Sequence, residues 1–203
     1  TEDLWKFGFG GVDERNAFLF NGAASAMKAG LQLSDTLSTV SRRYAAEVQM
    51  PENGYGLDWL TRQRADRLVG ITNGVDYEVW NPQTDPEIPA HFDEDDLEGK
   101  RECKRRLLEE FSLPVRIDRP IFANITRLTA QKGIDLMMQV AGEIVAAGCY
   151  VISLGSGERR YEDFWQALRD YAPSQVGIYR GYNESLAHKI EAGADIFMMP
   201  SKF

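Results

Sequence analysis

Two cations in a short loop, Arg127 and Lys132, are the residues whose type and spacing most readily suggest chemistry. They stand in Ile-Phe-Ala-Asn-Ile-Thr-Arg-Leu-Thr-Ala-Gln-Lys-Gly over residues 121–133. An apolar run of strand length, opened by Pro120, gives way there to a basic loop and then to an apolar stretch over 134–147 that is too long for a strand. Strand, basic loop, helix is a junction found at the carboxyl end of a strand in an open α/β sheet. A helix start at that place offers unpaired N–H groups and a positive dipole end to an anion. Arg127 and Lys132 so placed would clamp a phosphate; as ordinary loop cations they would only face solvent, and the residues alone leave both readings open. A charge-assisted hydrogen bond from either to a diphosphate is worth about 1.5–3 kcal/mol. Contacts that tighten as charge builds on a departing diphosphate act on the transition state.

The elements that must hold these side chains follow from the pattern. Strands are predicted over 121–125, 149–154, 176–180 and 195–199. Between them lie helices over 134–147, ended by Gly148, over 158–171, with Tyr161, Phe164, Leu168 and Tyr171 on one face, and from the Asn183 cap to about 192. Strands alternating with helices mean a parallel sheet with right-handed crossovers, an α/β Rossmann-like architecture. All four strand ends then face one edge, which collects Arg127, Lys132, Gly155, Gly157, Tyr182, Ser201 and Lys202. Gly155 and Gly157 would let a phosphate or sugar come close to the backbone, or would serve only a tight strand-to-helix turn. Their spacing ends at Arg160, G-x-G-x-x-R, which weakens a dinucleotide reading, and there is no G-x-x-x-x-G-K-[ST] for a P-loop. Tyr182 could present its ring to a nucleobase or simply pack at the strand end.

Upstream, residues 1–16 read as loop, 18–33 as helix, 37–41 as strand, 42–48 as helix, 57–67 as helix and 68–72 as strand. Turn and proline signals cluster from Asn73 to Pro89, and a domain junction is expected there: one unit over 1–72, a hinge over 73–92 and a second unit over 93–203. Asp93-Glu94-Asp95 has the form of a metal-binding D-x-D, but its polar setting ahead of a helix over 99–111 favours a solvated acidic run. The net charge is −8, from 23 Lys+Arg against 31 Asp+Glu, which argues against a nucleic-acid surface. Cys103 and Cys149 are far apart and read as free thiols, and His91 and His188 complete no zinc set, so no metal is expected. No membrane span or leader is visible, and a cytoplasmic location is the expectation.

Arg127-Leu128-Thr129-Ala130-Gln131-Lys132-Gly133 resembles the R-L-T-x-Q-K-G signature of bacterial glycogen synthases and plant starch synthases. Asn73-Gly74-Val75-Asp76, Trp80-Asn81-Pro82, Gly181-Tyr182, Ala192-Gly193-Ala194-Asp195 and Pro200-Ser201-Lys202-Phe203 follow in that family's order, so that the resemblance runs from about 18 to 203. It implies a retaining GT-B glucosyltransferase that takes glucose from ADP-glucose, or UDP-glucose, to the end of an α-1,4-glucan, without a metal or other cofactor. By the same resemblance, Arg127 and Lys132 hold the donor's distal phosphate, Tyr182 stacks on the base and Asn73 reaches the transferred glucose. Gly155 and Gly157 line the donor side. The family's K-x-G-G-L loop and the E-P-C-G that follows P-S-[RK]-F are not in this sequence. An internal segment is therefore expected: the tail of the first Rossmann-like domain and an incomplete second one, binding donor weakly without turnover. A sucrose-synthase-like GT-B enzyme and a non-catalytic nucleotide-binding fragment are the alternatives, and a plant source would move the location to the plastid stroma.

Overall fold

Asn21 and Gly22 both take positive φ, 51° and 78°, the backbone that a two-residue hairpin turn requires and that Asn-Gly adopts at little cost. They join β1 (Leu19–Phe20) to β2 (Ala23–Ala24) as an antiparallel pair. The helix expected over 18–33 is accordingly shorter. As α1 it spans Ala26–Leu33, and the Ser25 side chain caps it by accepting from the Lys28 N–H. The computed structural model describes residues 16–202, so the loop expected over 1–16 lies almost wholly outside the described residues.

The chain divides into two units, Thr1–Val75 and Asp76–Phe203. In the first, β3 (Leu37–Val40) pairs in parallel with β4 (Leu68–Ile71), and α2 (Arg42–Glu47) and α3 (Asp58–Gln63) lie between them in sequence. Gly70 is needed where β4 meets the turn after β3, since a Cβ there would lie 2.2 Å from the Ser41 carbonyl oxygen. The Arg64 guanidinium donates to the carbonyls of Leu31 at 2.8 Å and Gln32 at 2.7 Å, and also to that of Ser34. It thereby ties the carboxyl end of α1 to the end of α3 and satisfies carbonyls that a helix terminus leaves open.

The second unit is built on a four-stranded parallel sheet in the order β7-β6-β5-β8. Its elements in chain order are α4 (Glu98–Glu110), β5 (Ile121–Ile125), α5 (Ile134–Ala146), β6 (Tyr150–Gly155), α6 (Arg159–Tyr171), β7 (Val176–Arg180), α7 (Glu184–Gly193) and β8 (Ile196–Phe197). β6 is buried at every position, as a central strand covered on both faces should be. Ile121, Ala123, Ile152 and Leu154 pack with Leu107 and Leu108 of α4 and Ile190 of α7. Val151 and Val176 pack with Ile134 and Met137 of α5 and Tyr161 and Trp165 of α6. The buried face of α6 runs through Tyr161, Trp165 and Leu168 to Ala172, whereas Tyr171, predicted to lie on it, is 81% exposed. The helix turns the 161–165–168 row inward, and Tyr171 falls beside that row. The last strand is shorter than the predicted 195–199, because Pro200 has no N–H to offer and the chain turns across the start of α5, where the Lys202 N–H donates to the Gln131 carbonyl at 2.9 Å.

Two polar clusters, one half-buried and one buried, hold this unit. Lys104 Nζ lies 2.7 Å from Asp195 Oδ2 and 2.9 Å from the Ile117 carbonyl, and the same Asp195 oxygen accepts from the Ile121 N–H at 2.7 Å. One carboxylate thus joins α4, the start of β5 and the turn into β8. Residues 76–92 lie in this unit as a strap fastened to α7. Trp80 stacks on His188 with ring centroids 3.7 Å apart, and buried His188 Nδ1 donates to buried Asp85 Oδ2 at 2.6 Å. His91 Nε2 donates to the Asp85 carbonyl at 3.0 Å, and the Phe92 N–H to that of Pro82 at 3.1 Å. Burial beside this clasp pushes the Glu191 carboxyl up, and His188 acts in the opposite sense. The acidic run before α4 is a turn: Asp93 Oδ1 accepts from the N–H groups of Asp95 at 3.0 Å and Asp96 at 2.9 Å, which holds its carboxyl below the usual range.

Candidate functional site

Because β5, β6, β7 and β8 are parallel, their carboxyl ends lie along one edge, and the loops that leave them are interlocked there. The loop after β5 runs against the loop after β6. The Leu128 N–H donates to the Ser156 carbonyl at 2.9 Å, the Glu158 N–H donates back to the Leu128 carbonyl at 2.8 Å, and Leu128 and Gly157 form a parallel bridge. This contact is what demands the glycines. A Cβ on Gly155 would lie 1.9 Å from the Thr126 carbonyl oxygen, and one on Gly157 would lie 2.3 Å from that of Leu128. The backbone that Gly155 and Gly157 admit is therefore the protein's own, and their loop forms the floor of the edge. The Gly181 N–H, just past β7, donates to the Gly155 carbonyl at 3.2 Å and ties the third loop to the second. Gly133, at φ 69°, opens α5 and admits the fourth, since a Cβ on it would lie 2.1 Å from the Pro200 carbonyl oxygen.

Cations abound along this edge, and most have partners. Lys202 Nζ lies 2.5 Å from Asp135 Oδ2, a hydrogen bond that holds the Asp135 carboxyl low. Arg160 pairs with Glu158 at 2.7 Å, Arg159 with Asp163 at 3.6 Å, and Arg180 donates to the Glu162 carbonyl at 3.2 Å. The exposed Arg127 guanidinium and the half-exposed Lys132 ammonium take no side-chain partner among the described residues. Both belong to the interlocked loop, so two uncommitted positive charges stand on a rigid support beside the start of α5. Tyr182 follows Gly181, is 77% exposed, and directly precedes the Asn183 cap of α7. A hydrogen bond to Glu184 pushes its phenol above the ordinary value, with burial and the Glu184 charge adding to the effect.

Five of the six residues singled out in the sequence thus gather on the strand-end loops of the second unit: Arg127, Lys132, Gly155, Gly157 and Tyr182. Asn73 follows β4 in the first unit and is exposed. One polar residue near the edge was hidden in the sequence. Asn124 lies in β5 opposite Ser153, is wholly buried, and its amide oxygen and nitrogen have no hydrogen-bond partner among the described residues. Within an apolar run of five it reads as strand filler, and its only sequence signal is that a buried amide needs a partner.

A family model described as the starch synthase catalytic domain matches residues 2–63. Glycogen synthase 1 of Geobacter sulfurreducens is 48% identical over 177 residues, covering 87% of this chain and 35% of that protein. A glycogen synthase of Anaeromyxobacter dehalogenans is 49% identical over 180 residues, covering 88% and 38%. Among solved structures, the catalytic domain of starch synthase IV from Arabidopsis thaliana, bound to ADP and acarbose, superposes with a TM-score of 0.84 at 32% identity, over 91% of this chain and 38% of that one. WaaG, a glycosyltransferase of lipopolysaccharide biosynthesis, shares the fold at a TM-score of 0.54 and 13% identity. The chain spans little more than a third of the length of these curated relatives, 35% and 38%.

Proposed function

Since the chain belongs to the glycogen and starch synthase family, we propose that it forms the donor-nucleotide part of a retaining GT-B glucosyltransferase. The reaction is transfer of glucose from ADP-glucose, or UDP-glucose, to the non-reducing end of an α-1,4-glucan. The observation that carries this reading is the pair Arg127 and Lys132, left without a side-chain counter-charge among the described residues on an edge where neighbouring cations are paired. A diphosphate supplies the missing negative charge. As the bond to glucose breaks, charge builds on the departing nucleotide, and two fixed cations stabilise that state more than the ground state. Tyr182 offers its exposed ring to the base, with Glu184 holding the phenol, and the loop of Gly155 and Gly157 forms the floor below the donor. For Asn73, contact with the transferred glucose rests on the sequence motif alone. Division into the tail of an acceptor-side domain, a hinge and a nucleotide-side domain belongs to the same proposal, as does a cytoplasmic location.

Calorimetry of ADP, UDP and ADP-glucose binding at fixed salt, on the chain and on Arg127→Ala and Lys132→Ala, tests the reading. ADP should bind more tightly than UDP, and each variant should lose about 1.5–3 kcal/mol, roughly ten- to a hundredfold. A folded chain that binds neither nucleotide has no donor site. Variants that bind like the parent would place the phosphates elsewhere.

A further inference from the structure

Asn-Gly occurs three times in the chain, at 21–22, 53–54 and 73–74, and the fold holds the three differently. The pair has a reaction of its own. A backbone nitrogen can attack the side-chain carbonyl carbon of the asparagine before it, and glycine, with no Cβ, neither shields that nitrogen nor restricts its approach. The attack needs an N–H that no acceptor holds and a backbone free to turn.

Asn21-Gly22 is fixed as the turn between β1 and β2, with both residues at positive φ and Phe20 paired with Ala23 across it. Asn53-Gly54 is held more firmly. The N–H groups of both residues donate to the Met50 carbonyl, at 3.2 and 2.9 Å, both residues are half-buried, and a Cβ on Gly54 would lie 2.4 Å from that of Asp58. Nothing comparable holds Asn73-Gly74. It follows β4 outside any helix or strand, in a run where every residue from Ile71 to Val79 is exposed. Neither the Gly74 N–H nor the Asn73 side-chain amide has a hydrogen-bond partner among the described residues. A Cβ on Gly74 would meet nothing within 4 Å, so the space beside its nitrogen is open.

We propose that Asn73 is a site of spontaneous deamidation, the fastest of the three. The Gly74 nitrogen bonds to Asn73 Cγ, the Cγ–Nδ2 bond breaks, and the proton of the attacking N–H leaves with the amide as ammonia. Water then opens the cyclic imide at either carbonyl. The product is aspartate, or isoaspartate, whose main chain runs through the former side chain and is one methylene longer. In both, an amide that donates and accepts becomes a carboxylate that only accepts, and one more negative charge is added to a chain of net charge −8. The contact of Asn73 with the transferred glucose, where the donor reading holds, is altered with it. The reactivity itself does not rest on that reading.

Ageing the full chain in mildly alkaline buffer, followed by peptide mapping with mass spectrometry, tests the proposal. The peptide that carries Asn73 should gain the mass difference between a hydroxyl and an amino group and separate into aspartyl and isoaspartyl forms. It should do so at least tenfold faster than the peptide with Asn53, and faster than that with Asn21. Gly74→Ala puts a Cβ into open space at a glycine whose φ is not positive, and should slow conversion at 73 at least tenfold with the melting temperature unchanged. In urea the three sites should convert at similar rates, because the fold sets their order. Asn53 converting as fast as Asn73, Gly74→Ala ageing like the parent, or the same order in the unfolded chain overturns the proposal. Mass rather than affinity is read, so a chain that binds no nucleotide still decides this site. Slow ageing at Asn73 in a chain that binds ADP removes this site and leaves the donor reading standing.

Discussion

Gly155 and Gly142 are the same residue type in opposite circumstances. A Cβ on Gly155 would overlap the Thr126 carbonyl oxygen, whereas one on Gly142, midway along α5, meets nothing within 4 Å. Gly155→Ala should therefore destabilise the second unit by at least about 2 kcal/mol and loosen the loop that carries Arg127. Gly142→Ala should stabilise it by about 1 kcal/mol through helix propensity alone. Paired urea titrations decide both, and equal midpoints would refute the interlocked loops. The sequence discloses residue types more readily than their surroundings. The strand-end placement of Arg127 and Lys132 was legible because an apolar strand, a loop and an apolar helix in succession mark the carboxyl edge of a parallel sheet. That Lys202 is neutralised was not legible, because its pairing with Asp135 joins residues far apart in the chain, whereas Arg159 and Arg160 pair locally. Asn124 was lost in an apolar run for the same reason: its burial is a property of the sheet.

At the scale of elements, periodicity located the strands and α-helices of the second unit to within a few residues, since β5 to β8 are joined by helices of ten to thirteen residues, each with an apolar face. Errors arose where local turn chemistry outweighed propensity. Asn21 and Gly22 turned the start of an expected helix into a hairpin, and the face of α6 centred on Trp165 rather than on Tyr171. Nothing in the sequence joined His188 to Asp85, which pairing fastens the strap over 76–92 to α7. Asp85→Ala and His188→Leu should each cost about 2–3 kcal/mol, because each leaves a buried polar partner unsatisfied. Hydrogen exchange in 76–92 should accelerate in both variants while β5 and β6 remain protected. Exchange unchanged from the parent would mean that other contacts hold the strap.

The two units of the whole molecule are unequally built. Among the described residues the first buries only Ala17, Ala29, Leu37, Ala45, Leu57 and Leu60 of its hydrophobic residues, whereas the second encloses Trp165, Tyr150, Tyr161 and two large hydrophobic clusters. Hydrogen exchange should therefore show the amides of β3 and β4 opening well before those of β5 and β6, and equal protection factors would contradict this ranking. The clasp on the strap has a further consequence, for tethering. With 76–92 fastened, only residues 72–75 between β4 and the second unit remain as connecting chain. Each doubling of a flexible linker costs about 0.6 kcal/mol in closure entropy, and keeping the strap out of the linker avoids roughly two doublings, on the order of 1 kcal/mol. A change at His188 would then be felt as a fall in the effective concentration of one unit about the other.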